Sequence, residues 1–189
     1  VTTVWQRLGA GLKTWFWNWL RDWRSHAVSL LVIVAVVVGV SAWQARHVPT
    51  GPAPAFSAPL AGAPAGTQIT LEQWRARYPG RAVALHVWAE WCPICRMEES
   101  SITSLQQDWP VLTIAMRSGE AAQVARVLAQ RQLPWLTAVD ADGSLSARYG
   151  LQAVPAFIVL DPQGNIRHAA VGYTTSVGMR LRLWLAQNF

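Results

Sequence analysis

Cysteine is almost absent from this chain: 189 residues hold two, Cys92 and Cys95, both inside the stretch WCPIC. With no second pair, a four-ligand structural zinc site has no ligand set. A static bridge between them would close so small a loop that it removes little unfolded-state entropy, which makes it a poor staple. Charge is scarce as well, at 14% of residues against 52% hydrophobic. The net charge is +6, yet from Gln68 onward eleven arginines are mixed with nine acids and no Lys/Arg run occurs. That mixture describes a solvated surface, so nucleic acid is not an expected partner. A glycine-rich nucleotide loop, a cofactor motif and an internal repeat are all missing. No cofactor is therefore expected, and protein substrates are favoured over small molecules.

Long apolar runs are not missing. Residues 27–43, AVSLLVIVAVVVGVSAW, contain no charge and as a helix would extend about 25 Å, a little short of a hydrocarbon core of about 30 Å. Trp23 and Trp43 extend it at headgroup level. Arg7, Lys13, Arg21 and Arg24 against Asp22 leave residues 1–26 at a net +3, which places them in the cytoplasm and everything after Trp43 outside. Trp5, Leu8, Leu12, Trp15, Trp19 and Trp23 recur at three- and four-residue steps, the pattern of an amphipathic helix lying on the inner leaflet. The rival is a cleaved signal peptide, with Val40-Ser41-Ala42 as its cleavage site. The long, patterned segment before the apolar run favours a retained single-pass anchor in the inner membrane.

His47 to Thr67 carries five of the eleven prolines and reads as an extended spacer. Thr70 to Gln73 fits a capping box that opens a short helix, ended by Pro79-Gly80. Buried strands are predicted over 82–89, 111–116 and 136–139, with helices from the cysteines to about Leu105 and over 121–132. The Asp140–Gly143 turn leads into a second short helix. Strands over 156–160 and 166–172 flank Asp161-Pro-Gln-Gly164, a hairpin signal. A last helix from about Thr175 is expected to turn Val177, Leu181, Trp184 and Leu185 inward. The fold class is α/β, a mixed sheet covered on both faces.

A strand running into Cys-x-x-Cys at a helix start puts Cys92 among unpaired N–H groups at the positive end of the macrodipole. Its pKa falls and it becomes the attacking thiolate. Cys95, one turn further in, is placed to resolve a mixed disulfide. Pro93 suits the first helical position, where no N–H is needed. A thiolate pair holding a soft ion such as Cu(I) is the competing reading. His86, Met97 and Met116 could be recruited to it, but their spacing forms no ligand pattern.

Val87 to Cys95, VWAEWCPIC, resembles the active-site segment of thioredoxin-fold proteins, and Val154-Pro155 resembles the cis-proline that faces the cysteines there. From about Pro54 to Phe189 the order of elements is similar to the membrane-anchored periplasmic branch that includes TlpA, ResA and CcmG. MRSGE, LPWLTAVDADGSLSARYGLQAVPAF and VGYTTSVGMRLRLWL resemble ScsD-type proteins of copper-tolerance loci most. The resemblance implies a thioredoxin-like domain over 54–189, with a hairpin before its first helix, and a free spacer of only 44–53. It implies a cis Pro155 presenting backbone to a substrate strand, Val154 touching the mixed disulfide, and Trp91 flanking the thiolate. Two residues compete for proton transfer to or from Cys95. Glu98 matches the acidic position of TlpA-like motifs, and its alternative is a solvated carboxylate. His86 stands where thioredoxins carry a buried aspartate, and its alternative is a hydrogen-bonded core histidine.

The expected function is a membrane-tethered periplasmic thiol-disulfide oxidoreductase, a monomer, reducing protein disulfides. Its electrons are expected from a membrane donor of the DsbD or ScsB kind. A copper-binding or copper-stress protein using the same two cysteines is the alternative.

Overall fold

The computed structural model describes residues 23–189. The expected inner-leaflet helix lies almost wholly outside them. The chain divides into two compact units, Val1–Val40 and Ser41–Phe189. In the first, the described residues belong to α1 (Trp23–Ala45). It has 23 residues, about 35 Å of helix, and Val28, Leu31, Ile33 and Val37 stand exposed along it. Among the described residues it is the one helix long and apolar enough to cross a membrane.

The second unit is built on a six-stranded mixed sheet. Its strands are β1 (Gly51–Pro52), β4 (Val83–Trp88), β5 (Val111–Met116), β6 (Thr137–Asp140), β7 (Ala156–Leu160) and β8 (Asn165–Val171), in the order β1-β8-β7-β4-β5-β6. β4 pairs parallel with β5, and β5 with β6. The connections that make this possible are α3 (Pro93–Leu105) and α4 (Ala121–Gln130), because a parallel neighbour requires a crossover. β4 pairs antiparallel with β7, and β7 with β8, through the Asp161–Gly164 hairpin. Every residue of β4 and β5 is buried, as a strand covered on both faces demands. One face of the sheet packs Leu85, Val87 and Ile114 against Trp74 and Tyr149. The other packs Ala84, Trp88 and Phe157 against Ile102, Leu183 and both cysteines.

A separate hairpin, β2 (Ser57–Pro59) with β3 (Gln68–Thr70), leads into α2 (Leu71–Arg75). The Thr70 hydroxyl caps α2 by accepting from Gln73 N at 3.1 Å. Before β1, Val48 is buried in the core, and β1 itself pairs with Ile166 and Asn165 of β8. The segment expected to be free spacer therefore contributes a core side chain and an edge strand. A two-residue strand carries no periodicity from which it could be read.

The short helix expected after the Asp140–Gly143 turn is α5 (Ser144–Arg148). The last helix, α6 (Ser176–Asn188), corrects an expectation. Met179, Leu183 and Ala186 are buried, whereas Val177, Leu181 and Trp184 are 76%, 54% and 51% exposed and Leu185 is half-buried. Both stripes recur at helical spacing, so the apolar pattern alone does not choose between them. Polar tethers set the rotation. Gln187 accepts from Ala82 N at 2.8 Å and donates to Gly80 O at 3.0 Å, at the entry to β4. Arg180 pairs with Asp108 and donates to Ser104 O, just at and beyond the end of α3.

The two faces of α6 make a direct test. Leu183→Ala should cost about 2–5 kcal/mol as a core truncation. Leu181→Ala should stay within about 0.5 kcal/mol. Denaturant titration of both variants measures the difference, and equal losses would mean that the helix is rotated from the position described.

Candidate active site

β4 ends at Trp88, and after a short turn the chain enters α3 with Cys92 as its N-cap and Pro93 as its first residue. Cys92 has extended backbone, and its Sγ accepts from Cys95 N at 3.1 Å. The cysteines form a disulfide with their Cα atoms 5.3 Å apart, within the usual range for a bridge. In the dithiol form the same N–H and the helix dipole favour a thiolate at Cys92 over one at Cys95. Both residues are buried, Cys92 at 4% and Cys95 at 2% exposure. Incoming sulfur therefore meets a nearly flush surface.

The Val154–Pro155 peptide bond is cis, and the Val154 carbonyl oxygen lies 3.8 Å from Cys92 Sγ. Pro155 enters β7, which pairs with β4, so sheet pairing brings the two segments together. Trp91 is 60% exposed beside the cysteine, and its indole N–H donates to Arg117 O at 3.0 Å.

Sequence reasoning missed the groups that hold this segment. Glu90 N donates to Ser118 Oγ at 2.9 Å, and Ser118 Oγ donates to Met116 O at 3.0 Å. Arg131 donates to Glu90 O at 2.9 Å while forming an ion pair with Glu99 at 2.9 Å. Arg117 sits in the left-handed region with φ +46°, so the β5–α4 loop turns sharply where it receives Trp91. MRSGE carries three of these residues, Met116, Arg117 and Ser118, but a motif gives no sign of which groups it serves.

The two proton-transfer candidates lie in different surroundings. Glu98 is 1% exposed on the inner side of α3 and accepts from Thr174 N in the loop after β8. The alternative of a solvated carboxylate is thereby corrected. Desolvation pushes its pKa up to about 7 against the opposing pull of the Thr174 N–H. His86 is completely buried in β4, edge-on to the Trp135 ring at 5.9 Å. Among the described residues neither ring nitrogen has a hydrogen-bond partner, and the same holds for the Trp88 indole nitrogen. The alternative of a hydrogen-bonded core histidine is likewise corrected. Burial drives the His86 pKa down to about 3, so the ring is neutral at physiological pH and is too weak a base to hold a proton there. Among the described residues no group of three or more His, Cys, Asp or Glu side chains could hold a metal ion.

These two buried groups act on stability with opposite signs. His86 binds its proton more readily unfolded, so stability rises with pH between about 3 and 6.5. Glu98 binds its proton more readily folded, so stability falls with pH between 4.5 and about 7. Relative to wild type, Glu98→Gln should gain stability as pH rises through the second window. His86→Phe should gain it as pH falls through the first. At about 1.4 kcal/mol per pKa unit, the gain across each full window should be at most roughly 3 kcal/mol for Glu98→Gln and roughly 5 kcal/mol for His86→Phe. Denaturant midpoints across pH check both, and parallel profiles for the three proteins would contradict the assignment.

Comparison with known proteins agrees with this geometry. The Redoxin family matches residues 49–178. The chain is 30% identical over 151 residues to the thiol:disulfide interchange protein DsbE of Pseudomonas aeruginosa, covering 77% of this chain and 81% of that one. It is 29% identical over 125 residues to a thioredoxin-like protein of Haemophilus influenzae, covering 66% and 72%. Among solved structures, a putative thiol:disulfide interchange protein DsbE from Chlorobium tepidum superposes with a TM-score of 0.62 at 21% identity, over 75% of this chain and 99% of that one. A secreted thiol-disulfide isomerase from Corynebacterium glutamicum gives the same score and identity over 72% and 85%. The fold is the thioredoxin fold, and the chain belongs to the Redoxin family as a thioredoxin-like thiol-disulfide oxidoreductase of the DsbE, ResA and CcmG branch.

Proposed function

We propose that the chain is a membrane-tethered reductase of protein disulfides acting outside the inner membrane, with residues 1–26 in the cytoplasm. The observation that carries this reading is the seating of Cys92. Its sulfur accepts a helix N-terminal N–H and lies beside the carbonyl that precedes cis-Pro155. The length and composition of α1 support the tether, and the similarity to DsbE proteins supports interchange with protein clients.

In the reductive direction the Cys92 thiolate attacks one sulfur of a client disulfide. A Cys92–client bond forms, the client bond breaks, and the leaving client thiolate takes a proton from solvent. An extended client segment pairs with the backbone at Val154, which holds the mixed disulfide in place. Cys95 then gives its proton to the Glu98 carboxylate, which is half-ionised near neutral pH, and attacks Cys92 Sγ. The second client thiolate leaves, and the Cys92–Cys95 disulfide remains. Two electrons have passed to the client, and a dithiol donor of the DsbD or ScsB kind restores them. His86, neutral and completely buried against Trp135, does not act as the base. A monomer suffices for this cycle.

With Cys95→Ala, clients should accumulate on Cys92 as mixed disulfides visible on non-reducing gels, and Cys92→Ala should trap none. Glu98→Gln should slow release of the mixed disulfide by about 10²-fold, the lower range for loss of a proton acceptor, with little change in its formation. The direction is read from the reduction potential of the full chain. A value near the about −270 mV of thioredoxin supports a reductase. One near the about −120 mV of DsbA would replace that reading with an oxidase, a difference of roughly 7 kcal/mol.

A further inference from the structure

Disulfide chemistry leaves unused a cleft of about 250 Å³ near the end of α1. Trp43, Gln44, Arg46 and His47 form one wall, and Gln152, two residues before Val154, belongs to the other. None of the residues lining it is acidic. The Arg46 guanidinium stands 4.1 Å from the centroid of the Trp43 ring, and its Nε donates to His47 Nε2 at 3.0 Å. The ring and the imidazole thus hold the guanidinium in place while its terminal nitrogens remain available as donors. None of the ion pairs among the described residues involves Arg46.

The two walls are fixed against each other. Gly150 has φ +68°, and a Cβ there would fall 1.9 Å from the His47 carbonyl oxygen. Val48, the next residue, is buried in the core. A fixed guanidinium on an aromatic face, with Gln44 beside it, Gln152 opposite and no acidic residue in the lining, matches the oxygens of a phosphate group. Trp43 and Arg46 also lie where the apolar helix gives way to polar sequence, the level at which indoles and cations meet lipid headgroups.

We infer that this cleft binds the phosphate of an anionic phospholipid headgroup. The inference rests on the reading of α1 as a membrane span. The bound headgroup would touch Gln152 and so lie beside the loop that presents Val154 to clients.

The full chain is reconstituted in vesicles of phosphatidylcholine and phosphatidylglycerol in equal parts, extracted into detergent, and its retained lipid identified by native mass spectrometry. Wild type should keep one phosphatidylglycerol in preference to phosphatidylcholine. Arg46→Gln should reduce that preference about tenfold, as loss of a charge-assisted contact implies. Equal retention of the two lipids, or an unchanged preference in Arg46→Gln, would overturn the inference. So would Arg46-dependent binding of inorganic phosphate by a chain that retains no phosphatidylglycerol, which makes this a site for a soluble anion. Carbonate extraction of the same vesicles separates the two readings. Release of the chain sinks the membrane span and this inference with it. A carbonate-resistant chain without lipid preference sinks the inference alone.

Discussion

The structure depends on how β4 hands the chain to α3. A helix that begins where a central strand ends leaves its first N–H groups without partners inside the helix. Here one of them is satisfied by the sulfur of Cys92. A cap residue ordinarily supplies oxygen; a sulfur in that position turns a structural need into a reactive group, because what stabilises the helix start also stabilises a thiolate. The rest of the domain preserves this junction. β7 and β5 flank β4, and α6 is tied to the entry of β4 through Gln187 and to α3 through Arg180. Ser118 and Arg131 hold the turn at Glu90.

Beneath the junction the protein carries two buried ionisable side chains with opposite preferences. Glu98 is held near its midpoint at neutral pH by the balance of burial against one backbone N–H. His86 has no such compensation and stays neutral. Only the first can change charge during turnover near pH 7. Its acceptor bond from Thr174 also links the active-site helix to the loop that opens α6. The proton-transfer position and the packing of the last helix are thus parts of one arrangement.

Much of this could be read in the sequence because it is local. The buried strands announce themselves as apolar runs, Thr70 as a cap, Asp161–Gly164 as a hairpin, and WCPIC as a strand-to-helix junction. Illegible were the features set by residues far apart in the chain. The inward face of α6 is chosen by Arg180 and Gln187 reaching Asp108 and Ala82, and equal apolar spacing on two stripes hid the choice. Burial of Glu98 follows from where Thr174 lies, which no pattern around Cys95 encodes. Ser118 and Arg131 support the site through the backbone of Glu90, and Arg117 through its carbonyl, which accepts from the Trp91 indole; a polar loop gives no hint of such service. The orphaned nitrogens of His86 could not be anticipated from a lone histidine in a strand.

The close approach of His47 to Gly150 has a consequence for how the connection to the domain can vary. A loose leash could be lengthened, shortened or re-sequenced without cost to catalysis. Here the last turn of the approach is wedged against the loop that leads into cis-Pro155, followed by Val48 in the core and Gly51–Pro52 on the sheet edge. Insertions between His47 and Gly51 would have to be absorbed by the catalytic loop itself. A soluble fragment starting at Pro54 would leave the edge of β8 bare and remove the support behind Gly150. Length is thus free to vary only on the α1 side of His47, and the residues that follow are fixed to the active-site loop.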